Sequence, residues 1–372
     1  MKKTFLSFLL ATAALFSCHT NSTPAKAGSD TAILVIPLAS TPYFYTQLKG
    51  VVGGKHITMQ LLKTAPHLFG GYYCYDSIGQ PVNIWGSLDS NLVKLYEETT
   101  AGGEERFFGG TLSDDGIFKG VWHGDSTSHH FELHTDLRRA VPFRVYYDTD
   151  SLHLIASNPQ SPIGMVSSSI IWPDSSVDSS LATFLKRQIT SSTYVTTPEQ
   201  YIKMDMDSFK ISYQVAAKDA DSSELNDETQ ANSWNWTTDD AMRIVWNTWP
   251  YLVIEKYSYD FTGGAHGNWN AVYITLDLSK KKVITPADIF KTGYKEKLSP
   301  LLDKAFRKKY KIGEDEMLYQ NLLVKTIPAN DNLIVTDKGV AFSYVPYEIG
   351  PYALGQVTLF IPFTELKPLL KN

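Results

Sequence analysis

The histidine of the segment FTGGAHG has the residue type and setting that best suit chemistry. Three glycines surround His266 in residues 261–267, just after a run of alternating tyrosines. As a general base, His266 would need an acid to orient it, and Asp260 is the acid nearest in sequence. As a zinc ligand it would need further ligands, and no histidine follows it. As a structural residue it would bind backbone groups while the glycines adopt positive φ angles. The sequence leaves these three roles open.

Histidines and aspartates also lie close together in the N-terminal third of the chain. SDDG at residues 113–116 precedes HHFELH, in which His130 and His134 are four residues apart. Polysaccharide deacetylases bind a metal with an aspartate at a strand end and with two histidines on one side of a helical turn. The alternation in HHFELH instead predicts a strand, which separates the two rings by more than about 10 Å. We therefore expect no metal site, although the neighbouring histidines could form an adventitious surface site.

Sequence signatures of common enzyme classes are absent. The chain has no G-x-S-x-G elbow, phosphate-binding loop, H-E-x-x-H or paired Cys-x-x-Cys motif. Cys74 lies between Tyr73 and Tyr75 and is interpreted as a small strand residue rather than a nucleophile. We predict no cofactor and no catalytic residue.

The first residues predict export from the cytoplasm. Two lysines precede an apolar run, Phe5–Phe16, that is too short to span a bilayer. Residues 15–18, LFSC, resemble a bacterial lipobox, so residues 1–17 are predicted to be a signal peptide and Cys18 the lipidated residue. An ordinary cleaved signal is the alternative. The polar segment 18–40 is predicted to be a flexible tether. We expect a lipoprotein anchored in the cell envelope only through its lipid, at the periplasmic face of the outer membrane.

Composition predicts a globular protein rich in β-structure. Of the 372 residues, 43% are hydrophobic and 13% aromatic, and the net charge is -5. No basic patch indicates a nucleic-acid partner. A mildly acidic surface favours, weakly, a cationic partner.

The pattern of residues 41–137 predicts an antiparallel β-meander. About eight short alternating segments are separated by Gly, Asn, Asp and Pro clusters typical of hairpins. Gly86, Gly110 and Gly120 lie within strands beside large aromatic residues, which is typical of a strongly bent sheet. A small barrel-like domain is therefore expected, with a bound apolar molecule as one possible use of its interior.

Beyond residue 150 helices alternate with strands, which predicts an α+β fold with an antiparallel sheet. Asp178 or Ser179 is placed to cap one helix, and Thr197 followed by Pro198 another. A third helix is predicted to be capped by Ser299 and opened by Pro300. Residues 218–238 are predicted to form a long loop, with a strand following from Arg243.

Three segments together resemble a known family. YDFTGGAHG, then ITLDLSKKKVITPADIF, then GVAFSYVPYEIGPYALG are similar to the C-terminal domain of unknown function in the RsiV family of lysozyme-sensing anti-sigma factors. The resemblance covers about 110 residues within segment 256–372. The residues that carry it are Tyr259, Thr262, Gly263, Gly264, Ala265, His266, Gly267, Asp288, Phe290, Tyr347, Glu348, Ile349, Pro351, Tyr352, Ala353 and Gly355.

The resemblance implies a second domain and a class of partner. In that family the C-terminal domain follows a smaller one, also found in PdaC-type peptidoglycan deacetylases, and segment 150–255 occupies its position. The pair binds lysozyme in the signalling members. Only four residues precede the apolar run of this chain, so we do not expect it to hold a sigma factor. A deacetylase would also need a catalytic barrel, for which we find no segment.

We therefore expect a non-catalytic binding or sensing module for a lysozyme-type muramidase or a peptidoglycan fragment. Tyr259, His266, Tyr347, Glu348 and Tyr352 would offer aromatic area and polar groups to the partner. The same motifs could instead only close the fold. The rival hypothesis is an envelope hydrolase that uses His266, Glu348 or Asp260 as acid and base.

Overall fold

Eight antiparallel strands from the N-terminal third close into a barrel, because each strand pairs with the next and β8 pairs with β1. The computed structural model describes residues 37–98, 104–124, 126–218, 220 and 231–371. The predicted signal peptide, Cys18 and most of the tether lie outside these residues. The barrel strands are β1 Phe44–Val52, β2 Lys55–Ala65, β3 Leu68–Tyr75, β4 Val82–Asp89, β5 Leu92–Glu97, β6 Phe107–Leu112, β7 Ile117–Gly124 and β8 Thr127–Thr135.

Side chains of the barrel's own strands fill its interior. Phe131 makes edge-to-face contacts with Phe108 and Phe118, at ring-centroid distances of 5.3 and 4.8 Å. The buried Glu97 carboxylate accepts hydrogen bonds from Tyr73 Oη and Trp122 Nε1, both at 2.6 Å. The interior is therefore a packed core, the usual state of a barrel of this size.

A second sheet of six strands follows the barrel within the described residues, in the order β14-β13-β12-β11-β10-β9. Its neighbouring strands are antiparallel except β10 and β11, which are parallel. The strands are β9 Phe143–His153, β10 Ile163–Pro173, β11 Thr237–Thr248, β12 Tyr251–Phe261, β13 Asn268–Asp277 and β14 Lys282–Val283.

Helices α1 (Ser179–Thr190) and α2 (Pro198–Ala216) cover one face of this sheet and share an apolar core with it. The predicted caps form as expected. Asp178 accepts hydrogen bonds from the backbone N–H groups of Ser180 and Leu181, and Thr197 accepts one from Gln200. These caps satisfy donors that the first turn of each helix would otherwise leave unpaired.

The C-terminal part adds a three-stranded antiparallel sheet and three helices. These elements are α3 Pro286–Ile289, α4 Tyr294–Tyr310, β15 Leu333–Val335, β16 Gly339–Tyr344, β17 Val357–Pro362 and α5 Phe363–Leu366. The expected α+β class with a barrel-like N-terminal meander is confirmed. Val35–Asn372 forms one compact unit.

Two predicted boundaries were wrong. Helix α4 begins at Tyr294, so Pro300 lies inside it, and Ser299 Oγ donates instead to the Ile327 carbonyl at 2.7 Å. Strand β11 begins at Thr237 rather than Arg243, because its first residues pair with β10 and β12. Residues 219 and 221–230 of the predicted loop lie outside the described part of the chain.

The barrel and the second sheet join through a buried polar network. The Arg243 guanidinium forms an ion pair with Glu255 at 2.7 Å, and side-chain exposure is only 13% and 2%. Tyr72 Oη, from barrel strand β3, donates to Glu255 at 2.8 Å. Tyr273 Oη lies 3.1 Å from the Tyr72 oxygen. The barrel is thus tied to the sheet by charge-assisted hydrogen bonding as well as by apolar contact.

The surroundings of Cys74 make its thiol unreactive. Cys74 is buried where the outer face of β3 packs against the second and third sheets. Burial raises the pKa of its thiol to about 12. Because the thiolate is the nucleophilic form, this thiol is inert near neutral pH.

Candidate functional site

The two sequence motifs lie far apart in the chain but meet in space. The first is the loop between β12 and β13, and the second is the connector between β16 and β17. The rings of His266 and Tyr352 stack with their centroids 3.9 Å apart and their planes 19° apart. Tyr352 Oη donates to the Gly267 carbonyl at 2.6 Å, and Tyr347 Oη lies 3.4 Å from His266 Nε2. We call the surface formed by His266, Tyr347 and Tyr352 the motif face.

Glycines of the first motif make this contact sterically feasible. Gly263 and Gly264 have φ angles of +93° and +96°, which residues with a Cβ rarely adopt. Gly267 lies against the Tyr259 ring, where an added Cβ would come within 2.5 Å of the ring. The motif therefore fixes the loop backbone and presents His266 and Thr262 at the surface.

Tyr347 combines strain with exposure. Its φ angle is +69°, an uncommon value for a bulky residue, and its side chain remains 54% exposed. The following residue stabilises this turn, because Glu348 accepts hydrogen bonds from the Val345 N–H at 3.0 Å and from Asn330 Nδ2 at 2.9 Å. Strained residues that persist at a surface often mark functional sites.

The hydrogen bonds of His266 do not prepare it for proton transfer. Its Nδ1 lies 3.0 Å from the Gly267 carbonyl, which can only accept, so Nδ1 carries a proton. In the neutral ring Nε2 is then the acceptor facing Tyr347. No carboxylate of the described residues is hydrogen bonded to His266. The geometry therefore resembles a fixed aromatic surface more than a catalytic base with an orienting acid.

The remaining motif residues support the connector. Pro351 precedes a short 3-10 turn, Tyr352–Leu354, whose last N–H donates to the Pro351 carbonyl at 2.9 Å. Gly355 has a φ angle of +67° and packs against Trp269. The sequence reasoning missed Trp269, although it lies two positions after the first motif in an alternating strand. It also missed Asn330, whose role depends on a long-range contact.

One acid of the rival hydrolase hypothesis, Asp260, hydrogen bonds to residues outside the motif face. Asp260 accepts a hydrogen bond from Thr238 Oγ1 at 2.7 Å and a longer one from Ser258 at 3.4 Å. It neighbours Asp205 on helix α2 and Asp240 on β11, between α2 and the sheet. Within the described residues, Asp260, Glu348 and His266 are not joined by hydrogen bonds. They form no acid and base pair in this arrangement.

The pair Asp205 and Asp240 has unusual protonation behaviour. Burial disfavours their charged forms and raises the pKa of both carboxyls, that of Asp240 to about 6. The two side chains hydrogen bond to each other, and Ser168 Oγ donates to Asp205 at 2.6 Å. A proton held between them relieves the repulsion of two close carboxylates.

We predict that this pair makes the protein less stable as the pH rises from about 4 to about 6. The folded protein binds protons in this window, whereas unfolded aspartates with a pKa of about 3.9 release them. The stabilisation is therefore complete below about pH 4 and is lost as the pH passes about 6. Asp136 and Asp288, with pKa values of about 2, lose their own stabilising effect only at lower pH.

The test compares melting temperatures at about pH 5 and about pH 7.5. Asp240→Asn should remove most of the decrease in melting temperature between the two pH values, because asparagine keeps a neutral hydrogen-bonding group at this position. Asp89→Asn is the matched control, because Asp89 is exposed on barrel strand β4 and is not among the charges that act on Asp240. An equal decrease in melting temperature in Asp240→Asn and in the parent protein would show that this aspartate pair does not cause the pH dependence.

The described residues offer neither a metal-binding cluster nor a membrane-spanning helix. No group of three or more His, Cys, Asp or Glu side chains is placed to share a metal ion. No helix in the described part is both long and apolar enough to cross a bilayer.

Family models match two segments of the chain. Residues 165–269 match the model described as Deacetylase PdaC, and residues 287–364 match Protein of unknown function (DUF3298). The chain is thus similar to PdaC over one segment and to DUF3298 over the next. The first segment contains most of β10, helices α1 and α2, and strands β11 and β12, and the second contains the connector of the motif face. No significant match was found among curated proteins.

Solved structures include similar chains. A member of the DUF3298 family from Bacteroides fragilis NCTC 9343 has a TM-score of 0.58 and 21% identity, over 63% of this chain and 95% of that chain. A DUF3298 family protein from Pseudomonas aeruginosa PAO1 has a TM-score of 0.44 and 19% identity, over 62% and 95%. The similarity to the first of these structures concerns the fold alone.

Proposed function

We propose that this protein is a non-catalytic envelope lipoprotein whose motif face binds a lysozyme-type muramidase or a peptidoglycan fragment. Lipid on Cys18 would hold it outside the cytoplasm, as the sequence predicts. The observation that carries the proposal is the meeting of the two motifs that resemble the RsiV family. They come together as one stacked aromatic surface on a loop and a connector.

The composition of the motif face suits recognition. Tyrosine and histidine rings give rigid contact area at low entropic cost and keep polar groups at their edges. The stacking of His266 on Tyr352 and the bond from Tyr352 to the loop backbone hold these rings in place before any partner arrives. The net charge of -5 also favours association with a cationic protein.

The hydrogen bonds of His266 and Glu348 support binding rather than hydrolysis. The Glu348 carboxylate is engaged by Asn330 and by the Val345 backbone. A glycosidase would need two carboxyl groups on either side of the scissile bond. The motif face offers rings and backbone groups in their place.

The test is a calorimetric titration of the chain from His19 onward with lysozyme and, separately, with soluble peptidoglycan fragments. Tyr347→Ala should weaken binding of the true partner by about 2 kcal/mol, or roughly thirtyfold, because an exposed, rigid tyrosine is a typical hot spot. Tyr319→Ala is the control, since Tyr319 is also 54% exposed but lies outside the motifs.

Three results would count against the proposal. If neither titration gives a heat of binding, the resemblance to the RsiV family would concern the fold alone. Equal affinity of Tyr347→Ala and the parent protein would place the binding surface elsewhere. Release of sugars from purified cell wall, lost in Glu348→Gln, would favour the hydrolase.

A further inference from the structure

A cleft of about 540 Å³ lies between the barrel and the C-terminal part. Its walls are the β3–β4 loop at residues 77–80, helix α4 and strand β17. Pockets for small ligands typically measure about 300–1,000 Å³ and lie between structural units. The cleft shares no residue with the motif face, so a ligand bound there would be independent of the proposed function.

Helix α4 gives the cleft both apolar and basic character. Leu301, Lys304, Ala305 and Lys308 line it with the spacing of one helical face. The adjacent face of α4 is fixed in the core by Leu298, Leu302 and Phe306, which are fully buried. The orientation of the helix is therefore set by packing, and its lysines face the cleft as a consequence.

Four lysines and one glutamate line the cleft. Two of the lysines have carboxylate partners, since Lys304 pairs with Glu365 at 2.7 Å and Lys338 with Asp337 at 2.9 Å. Lys308 and Lys309 form no ion pair with any described residue. The cleft is thus lined by two lysines, neighbours in the sequence, whose charge is not balanced by an ion pair within the described residues.

Lys309 is the more constrained of the two. It is partly buried, and its ammonium donates to the carbonyl oxygen of Thr358 at 3.3 Å. Burial lowers its pKa, an effect that the more distant Glu98 opposes. A neutral carbonyl compensates only part of the cost of taking a charge out of water. An anion in the cleft would supply the missing interaction.

Apolar side chains lie beside these lysines. Ile78 from the β3–β4 loop is 51% exposed, and Leu301 and Phe360 contribute partly buried surface. The barrel loop contacts the C-terminal part at this cleft, because a Cβ added at Gly79 would lie 2.6 Å from the Lys338 side chain. A ligand that fits this lining has an acidic group at one end and a hydrocarbon body at the other.

We propose that this cleft binds a small amphiphilic anion, with its acidic group at Lys308 and Lys309 and its apolar body against Ile78, Leu301 and Phe360. A carboxylate and a phosphate share the required charge and hydrogen-bond acceptors. The β3–β4 loop contributes one wall, so the site exists only where the barrel docks on the C-terminal part. Binding should therefore also stabilise that contact.

The experiment titrates the full mature chain with three probes that have the same octyl-length tail, each below its micelle concentration. Octanoate and octyl phosphate carry the two candidate acidic groups, and octyl glucoside is the neutral control. At least one anion should bind, the glucoside should not, and added salt should weaken the binding. The stronger anion identifies the headgroup class.

Variants locate the site. Lys309→Met should weaken binding of the anion at least tenfold, and Lys308→Ala should weaken it as well. Lys203→Met is the matched control, because Lys203 forms an exposed ion pair with Asp207 on helix α2 and should leave affinity unchanged. Lys309→Met should melt at the parent temperature or above, since it removes a poorly compensated charge.

Clear results would overturn the proposal. Equal binding of octyl glucoside and the anions would show that the cleft takes any hydrocarbon chain. Unchanged anion affinity in both Lys309→Met and Lys308→Ala would place the binding elsewhere. Absence of binding by both anions to the parent protein would also exclude the proposed ligand class. Because Lys308 is exposed, Lys308→Ala keeps the test valid if Lys309→Met fails to fold.

Discussion

Replacing Arg243 with methionine is expected to destabilise the protein by about 3–5 kcal/mol, because it leaves the buried Glu255 carboxylate without its cationic partner. The ion-pair distance is 2.7 Å, and only 2% of the Glu255 side chain is exposed. The hydroxyls of Tyr72 and Tyr273 would remain near the carboxylate but cannot balance its charge. Urea denaturation of the parent and variant proteins gives the difference in unfolding free energy.

Two further variants separate the loss of the ion pair from other effects. Arg144→Met removes a pair with Asp174 of the same 2.7 Å length, but that arginine is 50% exposed, so a cost of only about 0–1 kcal/mol is expected. The double variant Arg243→Met and Glu255→Met should recover much of the loss, because no buried charge remains unpaired. A cost for Arg243→Met no larger than for Arg144→Met would contradict this account.

Because this ion pair lies where the barrel meets the second sheet, its loss can also be followed through the number of unfolding transitions. Arg243 belongs to the second sheet, and Tyr72, which donates to its partner, belongs to the barrel. In the parent protein we expect one cooperative unfolding transition for both parts. Arg243→Met should weaken their coupling, and separate transitions of barrel and sheet would be direct evidence for it.

A substitution at Gly86 is expected to have the second large effect. An added Cβ would lie 1.8 Å from the Lys94 carbonyl oxygen of the paired strand β5, a distance that atoms cannot adopt. The obstacle is backbone, so the strands themselves must move apart. We expect Gly86→Ala to destabilise the protein by about 3 kcal/mol, measured by urea denaturation, since overpacking at a backbone contact is hard to relieve.

Gly109→Ala is the matched control for this prediction. It lies in barrel strand β6, and its added Cβ would meet the Phe107 ring at an ordinary 3.5 Å. A change within about 1 kcal/mol is expected there. If both variants were equally destabilised, glycine would be needed for strand flexibility in general, and the close approach at Gly86 would not be the cause.

The strongly bent sheet was predicted correctly from the barrel glycines, but the structure gives a different physical reason for the glycines. The sequence indicated a strongly bent sheet from glycines beside aromatic residues. In the structure, added Cβ atoms at Gly86 and Gly120 would strike carbonyl oxygens of neighbouring strands, within 1.8 and 2.0 Å. The glycines are needed because backbones approach closely where the barrel coils.

The motif face and the cleft beside helix α4 are separate surfaces of the molecule. The face is an exposed aromatic surface, whereas the cleft is a half-open cavity of about 540 Å³. Because the two surfaces share no residue, a variant at one should leave binding at the other intact. The Tyr347→Ala and Lys309→Met proteins can therefore serve as controls for each other.

Local features were readable from the sequence because short-range physics determines them. Period-two alternation with turn residues predicted the eight barrel strands, and Asp178 and Thr197 were identified as helix caps. The motif around His266 and that around Tyr347 were recognised from residue type and order. Each of these signals acts over a few residues, so neighbouring sequence is enough to specify it.

Features that depend on distant partners needed the tertiary structure. Strand β11 extends to Thr237 because that residue pairs with Phe261, and Ser299 donates to a carbonyl 28 positions away instead of capping α4. The Arg243 ion pair and the Lys309 cleft arise where the barrel docks on the rest of the chain. Sequence determined which elements form and which residues the motifs contain. Only folding decided which side chains meet, because those contacts join residues far apart in the chain.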